Sequence, residues 1–318
     1  MWNAVLTAFK NKDVRCDADG LNRSLLGLLY AEDEVRVGLC LLDHFADGEE
    51  KVCLPAPIGG TEGPTVIFHR MSQPFSSCLM HLALTVDAVK RSTVDPVYVV
   101  VPYLPYSRQD KTQQGEALGS KVAAKIIGNG VQGILTLDAH SQQIAGLYDV
   151  PVKNNTSIAR RCFVADLLSK TDVKQAVLVA PDTGNLKSVR ELAEYLGSGF
   201  AFVAKKRTAP GESFATHIAG DDVEGKTCII IDDMIDGAGT VCNAAQFLTD
   251  RGATYIAAYA THGLFSGEAE KLIETSCLDS VTVCNTIAPK VDGTLKLFNT
   301  IDIAGPLLNK VKACWKLS

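Results

Sequence analysis

Short apolar runs alternate along this chain with stretches whose apolar residues recur at helical spacing. Strands are predicted over residues 35–42, 51–54, 65–69, 97–102 and 134–137, then again over 176–180, 201–204, 228–231, 255–261 and 281–285. Helices are predicted over 21–30, 77–91, 118–127, 158–168, 186–196 and 268–275, with a last one starting at Ile303. Strands that alternate with helices imply mainly parallel sheets. The sharpest switch of period follows Cys228 to Ile231, a continuous apolar run that suits a strand buried on both faces. Asp232 and Asp233 stand where that strand should end, followed by Asp236, Gly237, Gly239 and Thr240. Val241, Ala244, Ala245 and Leu248 then fall at i, i+3, i+4 and i+7, and Gly252 closes the helix.

The pattern runs through once and starts again near residue 152, a polar stretch after Pro151. Domains are expected over 1–153 and 154–302, with the last helix, 303–318, packing back on the first. The 318 residues leave room for two cores of about 150 residues each. With 47% apolar and 21% charged residues the chain is a soluble globular protein. A net charge of −5 argues against a nucleic-acid surface, and no 18-residue apolar run suggests a membrane span. Ten cysteines without a C-x-x-C pair indicate neither a zinc knuckle nor a disulfide framework, so a reducing, cytoplasmic setting is expected.

Two motif matches mislead. Gly220 to Thr227 fits G-x-x-x-x-G-K-[ST], but it precedes a strand and carries Asp221, Asp222 and Glu224, the wrong sign for a phosphate nest. A hairpin-like turn is expected there. Gly128 to Gly133 fits G-x-G-x-x-G but ends a helix and leads into a strand, the reverse of the dinucleotide order. It reads as a helix cap and turn.

The chemistry concentrates at residues 232–240. Gly237 and Gly239 let the backbone curl close to a ligand, and the amides opening the helix can hold a phosphate. A carboxylate 4 Å from a phosphate charge repels it by ~4 kcal/mol at an effective dielectric of 20. Asp232 and Asp233 should therefore face sugar hydroxyls or a cation, which describes a ribose 5-phosphate cradle. A solvated strand end before an N-capped helix is the alternative reading of the same residues.

This run resembles the phosphoribosyl-pyrophosphate (PRPP) binding motif, two acidic residues followed by D-[TG]-x-G-T. Phosphoribosyltransferases and PRPP synthetases share it, so the motif alone does not choose between them. Four further tracts are similar to the PRPP synthetase (ribose-phosphate diphosphokinase) family: Phe45-Ala-Asp-Gly-Glu49, Tyr106-Ser-Arg-Gln-Asp-Lys111, Asp138-Ala-His-Ser-Gln-Gln-Ile144 and Thr261-His-Gly-Leu-Phe-Ser-Gly267.

The resemblance implies two tandem phosphoribosyltransferase-like (Rossmann-like) α/β domains. It also implies transfer of the β,γ-pyrophosphoryl group of ATP to the 1-hydroxyl of ribose 5-phosphate, giving PRPP and AMP for nucleotide biosynthesis. Ribose 5-phosphate would sit on Asp232, Asp233, Asp236, Gly237, Ala238, Gly239 and Thr240. Arg108, Gln109, Asp110 and His140 would hold ATP, and Phe45, Asp47 and Glu49 would reach a neighbouring subunit's adenine. His140 and Asp182 correspond to Mg²⁺ contacts, with Gly184 in the pyrophosphate loop after Asp182. Lys205 and Arg207, in a loop after a strand, would be the catalytic cations of a mobile flap, together with His140. The implied assembly is a homo-oligomer with a dimer as the minimal active unit, extendable to a tetramer or hexamer. Three positions depart from the family. Glu116 lies where bacterial and animal members carry basic residues for allosteric phosphate or ADP. Asn185 replaces a common glycine, tightening the pyrophosphate loop. Gly237 replaces a common threonine, which weakens phosphate binding. Two alternatives share part of the pattern: a phosphoribosyltransferase with an appended domain, and a catalytically silent homologue that regulates an active synthetase.

Overall fold

Runs of small and β-branched residues set the central strands, because a strand covered on both faces has no polar side to show. The computed structural model describes residues 1–9, 21–32, 34–54, 62–209, 212–288 and 297–317. It divides into two compact units: Met1–Ile158 with Thr286–Ala288 and Asp302–Ser318, and Ala159–Asn285 with Pro289–Ile301.

The first unit contains β1 (Trp2–Phe9), α1 (Leu21–Tyr30), β2 (Val35–His44), β3 (Glu50–Cys53) and β4 (Thr65–Phe68). It continues through α2 (Phe75–Ser92), β5 (Val97–Val100), α3 (Gly119–Ile127), β6 (Gly133–Thr136) and β7 (Val152–Asn154). After α4 (Ser157–Lys170) the second unit begins with β8 (Ala176–Ala180), α5 (Leu186–Leu196), β9 (Gly199–Ala209) and β10 (Glu212–Gly220). Then come β11 (Thr227–Ile235), α6 (Gly239–Thr249), β12 (Tyr255–Gly263), α7 (Ala269–Glu274), β13 (Ser280–Cys284) and β14 (Phe298–Ile301). The last helix, α8 (Ala304–Trp315), belongs to the first unit.

The two seven-stranded sheets have the same topology. Their orders are β3-β2-β1-β4-β5-β6-β7 and β10-β9-β8-β11-β12-β13-β14. In each, the edge hairpin, β2/β3 or β9/β10, is antiparallel and the other ladders are parallel. The chain builds one side of the first strand, then crosses to the other. The crossovers fall between β1 and β4 and between β8 and β11, where open α/β sheets leave a ligand crevice at the strands' carboxyl ends.

Four strands were not expected from the sequence: β1, β7, β10 and β14. In β1 the apolar run is broken by Asn3 and Thr7, which are nevertheless buried. Asn3 Nδ2 donates to Gly63 O at 3.3 Å and Thr7 Oγ1 to Phe68 O at 3.4 Å, so the sheet supplies the partners that burial demands. The Gly220–Thr227 segment is a turn but not a hairpin. It leaves edge strand β10 and enters β11 across two intervening strands, with Gly225 N bonded to Gly252 O at 2.8 Å. Gly220 is required there: its φ is +122°, and a Cβ would lie 2.3 Å from Phe200 O.

Candidate active site

Strand β11 runs four residues past the predicted end, so Asp232 and Asp233 lie within it. Its ladder to β8 stops at Ile230 paired with Val179, whereas its ladder to β12 continues through Asp232–Ala260 to Ile235–Gly263. Beyond Ile230 the strand is therefore open on the β8 side, and this opening is the crossover crevice of the second sheet. The loop leaving β8, residues 181–185, closes on it from across the gap. Asn185 Nδ2 donates to Asp232 Oδ1 at 2.5 Å. In the same loop Gly184 N donates to Asp182 Oδ1 at 2.9 Å, and a Cβ at Gly184 would lie 3.1 Å from that oxygen.

Three carboxylates share this place. Burial, the charge of Asp233, a hydrogen bond between the two carboxyls and the charge of Asp182 hold the Asp232 carboxyl well above the usual carboxylate range. The N–H of Asp233, 2.9 Å from Asp232 Oδ1, pulls the other way. Asp233 is itself buried, at 9% exposure. Adjacent carboxyls that share a proton present both donor and acceptor, as vicinal sugar hydroxyls require.

The turn into α6 differs from expectation in where its unusual backbone lies. Ala238, the residue before the helix, is left-handed with φ 61°, while Gly237 and Gly239 have ordinary φ values. An L-residue in that region costs about 1–2 kcal/mol. A Cβ at either glycine would meet nothing within 4 Å, so neither glycine is required by close packing; the first amides of the helix are the kind of group that binds an anion. The segment after β12 braces this turn: Leu264 N and Phe265 N both donate to Ile235 O, and Ser266 N to Asp236 O.

Lys205 and Arg207 are not on a loop; they lie within β9. That strand pairs with β8 only from Gly199 to Phe202, then continues with β10 alone, Lys205 opposite Ala215 and Arg207 opposite Ser213. Seven residues beyond Phe202, at about 3.3 Å each, make a two-stranded arm of roughly 20 Å. It leaves the sheet at the same end as the Asp182 loop. The polar, weakly alternating partner strand β10 concealed this arm in the sequence.

In the first unit the predicted nucleotide residues follow the carboxyl ends of adjacent strands β5 and β6. Arg108 and Gln109 are exposed and Asp110 half-buried. Their loop is pinned to the start of α3 by Ser120 N and Oγ, 3.2 and 2.7 Å from Gln109 O. His140 is exposed two residues after Asp138, which has φ 43°, and Ala139 N is held by Asn154 Oδ1 at 3.0 Å. Phe45, Asp47 and Glu49 form the exposed tip of the β2/β3 hairpin, closed by Phe45 N to Glu49 O at 2.7 Å. Among the described residues, the crossover of this unit carries no acidic pair. There β4 is followed by His69, Arg70 and Met71, all buried.

The contact that the sequence did not announce is made by Asn185, whose side chain reaches 47 residues along the chain to Asp232. Its only signal was an amide where the turn needs none.

Comparison with known proteins agrees with this geometry. The family model "N-terminal domain of ribose phosphate pyrophosphokinase" matches residues 20–129, and "Phosphoribosyl synthetase-associated domain" matches 209–316. The ribose-phosphate pyrophosphokinase of Aquifex aeolicus (strain VF5) is 35% identical over 283 residues, 87% of this chain and 89% of that protein. The one from Xylella fastidiosa (strain 9a5c) is 37% identical over 270 residues, covering 84% and 82%. The crystal structure of phosphoribosylpyrophosphate synthetase from Mycobacterium smegmatis matches with a TM-score of 0.82 at 27% identity, over 99% of this chain and 100% of that one. With two family models in the expected order and relatives covered over most of their length, the chain belongs to the ribose-phosphate pyrophosphokinase (PRPP synthetase) family.

Proposed function

We propose that this chain transfers the β,γ-pyrophosphoryl group of ATP to the 1-hydroxyl of ribose 5-phosphate, releasing AMP and forming PRPP. The observation that carries this reading is the meeting, at the crossover of the second sheet, of an acidic pair with a glycine turn that opens a helix. The turn from Asp236 to Thr240 takes the 5-phosphate, and Asp232 and Asp233 take ring hydroxyls. The first unit takes ATP through Arg108, Gln109, Asp110 and His140. In-line transfer needs little covalent help from a protein, so the task is to position the sugar hydroxyl against the β-phosphorus and to neutralise charge.

Lys205 and Arg207 supply that charge from the β9/β10 arm, and a two-stranded arm attached at one end suits a group that closes and reopens. Asp182, with the backbone amide of Gly184 fixing one carboxylate oxygen, and His140 are the groups that would hold Mg²⁺. A half-buried carboxylate beside two more offers the hard oxygen donors this ion prefers, and it usually takes only one or two of them. Bound Mg²⁺ supplies charge neutralisation on the triphosphate.

Phe45, 53% exposed at a hairpin tip with Asp47 and Glu49 beside it, suits insertion into a second copy of this chain. A homodimer is therefore the smallest active form. None of the nine cysteines among the described residues is in a disulfide, which suits a cytoplasmic enzyme. No described helix is long and apolar enough to cross a membrane.

AMP release from ATP, measured with and without ribose 5-phosphate and Mg²⁺, tests the reading. Release that needs both is expected. Pyrophosphate formed from PRPP and a base would point to a phosphoribosyltransferase instead, and an inert protein to a regulatory homologue.

A further inference from the structure

Asn185 occupies the position before α5, where an asparagine ordinarily caps the helix by accepting an N–H of the first turn. It makes no such bond: φ is −98°, ψ is 5°, and the side chain caps nothing. Its amide instead spans the gap between the loop leaving β8 and strand β11, placing Nδ2 2.5 Å from Asp232 Oδ1. The backbone N–H of Asp233 donates to the same oxygen at 2.9 Å. Two donors on one oxygen fix the carboxylate plane, because each prefers to lie near that plane along a lone pair. The crevice has lost its β8 ladder at this point, so no strand pairing holds Asp232 from that side.

We propose that Asn185 is a positioning residue for the sugar: it clamps Asp232 in the orientation that receives a ribose hydroxyl, and so sets affinity for ribose 5-phosphate and not for ATP. This rests on the reading of Asp232 as a hydroxyl acceptor given above. The clamp also has a chemical logic. A carboxyl crowded by Asp233 and Asp182 needs a neutral donor to hold it without adding charge, and a primary amide is the side chain that donates from a fixed plane. A glycine here would leave Asp232 Oδ1 with the Asp233 N–H alone, and an aspartate would crowd in a fourth carboxyl.

The test is a double-mutant cycle of Asn185→Ala and Asp232→Ala in the full chain, read two ways. Unfolding midpoints without any substrate report the bond itself; non-additive shifts are expected, and additive ones overturn the clamp. Michaelis constants report its use. Asn185→Ala should raise KM for ribose 5-phosphate about tenfold, the usual worth of a hydrogen bond to a charged group, and leave KM for ATP within about twofold. On the Asp232→Ala background it should add less than about twofold. An unchanged KM for ribose 5-phosphate in a folded Asn185→Ala protein, or equal losses for both substrates, overturns the positioning role. If the unaltered protein shows no ribose 5-phosphate-dependent turnover while the unfolding cycle is non-additive, the bond stands and the reading of Asp232 fails.

Discussion

At the scale of single residues, the least ordinary group outside the acidic crevice is His69. Buried at the end of β4, its Nε2 lies 3.0 Å from Cys78 O and 3.3 Å from Cys78 Sγ, and its Nδ1 has no hydrogen-bond partner among the described residues. Burial first, then the nearby His81, pushes its pKa down to about 3 from the ordinary 6.5. The folded state thus keeps His69 neutral, while the unfolded chain takes up a proton below pH 6.5. The resulting stability is complete above that pH and is lost as pH falls toward 3. Between pH 8 and pH 5 this amounts to about 2 kcal/mol. Denaturant unfolding at both pH values should show that much more loss in the natural chain than in His69→Gln; equal losses would contradict it. A second residue prediction concerns Gly237. With ordinary φ and open space where its Cβ would stand, it accepts threonine without strain. Gly237→Thr should lower KM for ribose 5-phosphate by roughly fivefold through an added hydroxyl donor. A higher KM would show that the phosphate does not approach this residue.

Among the elements, α8 and the β9/β10 arm show what was legible in the sequence and what was not. The amphipathic run after Ile303 announced a helix, but its partners lie far away in the chain. Trp315 stacks on Tyr98 with ring centroids 4.5 Å apart, Lys312 pairs with Glu32 at 2.7 Å, and Leu307, Leu308 and Val311 are buried. At roughly 1.5–3 kcal/mol for each buried aliphatic side chain, these three contribute more than about 4 kcal/mol to the first unit. A chain ending at Ile303 should lose the first unit's cooperative unfolding transition in calorimetry and keep the second's. The arm was hidden for a different reason. Strand periodicity needs alternating apolar positions, and Lys205-Lys206-Arg207-Thr208 has none, so Lys205 and Arg207 read as loop. Lys205→Ala should lower turnover about 10²-fold with ATP affinity little changed. Unchanged turnover would remove the arm from the catalytic account.

Over the whole molecule, two sheets of identical strand order carry different residues at their crossovers. The periodic alternation of strand and helix, and its restart near residue 152, made the α/β repeat readable, because each unit's central strands are buried on both faces. Strand order was not readable: it depends on β1, whose buried Asn3 and Thr7 break the apolar run. The second unit opens its crossover around Asp232 and Asp233, whereas the first fills the matching place with His69, Arg70 and Met71. There Arg70 donates to Ile287 O, which ties the Thr286–Ala288 segment to the end of β4. The proposed nucleotide residues of the first unit lie instead after β5 and β6 and at the β2/β3 tip. The most direct test follows the transferred group. With ATP labelled at the β-phosphorus, ribose 5-phosphate and Mg²⁺, the account predicts that the label moves to the sugar product and that unlabelled AMP accumulates in equal amount. Label retained in ADP, or no transfer at all, would contradict it.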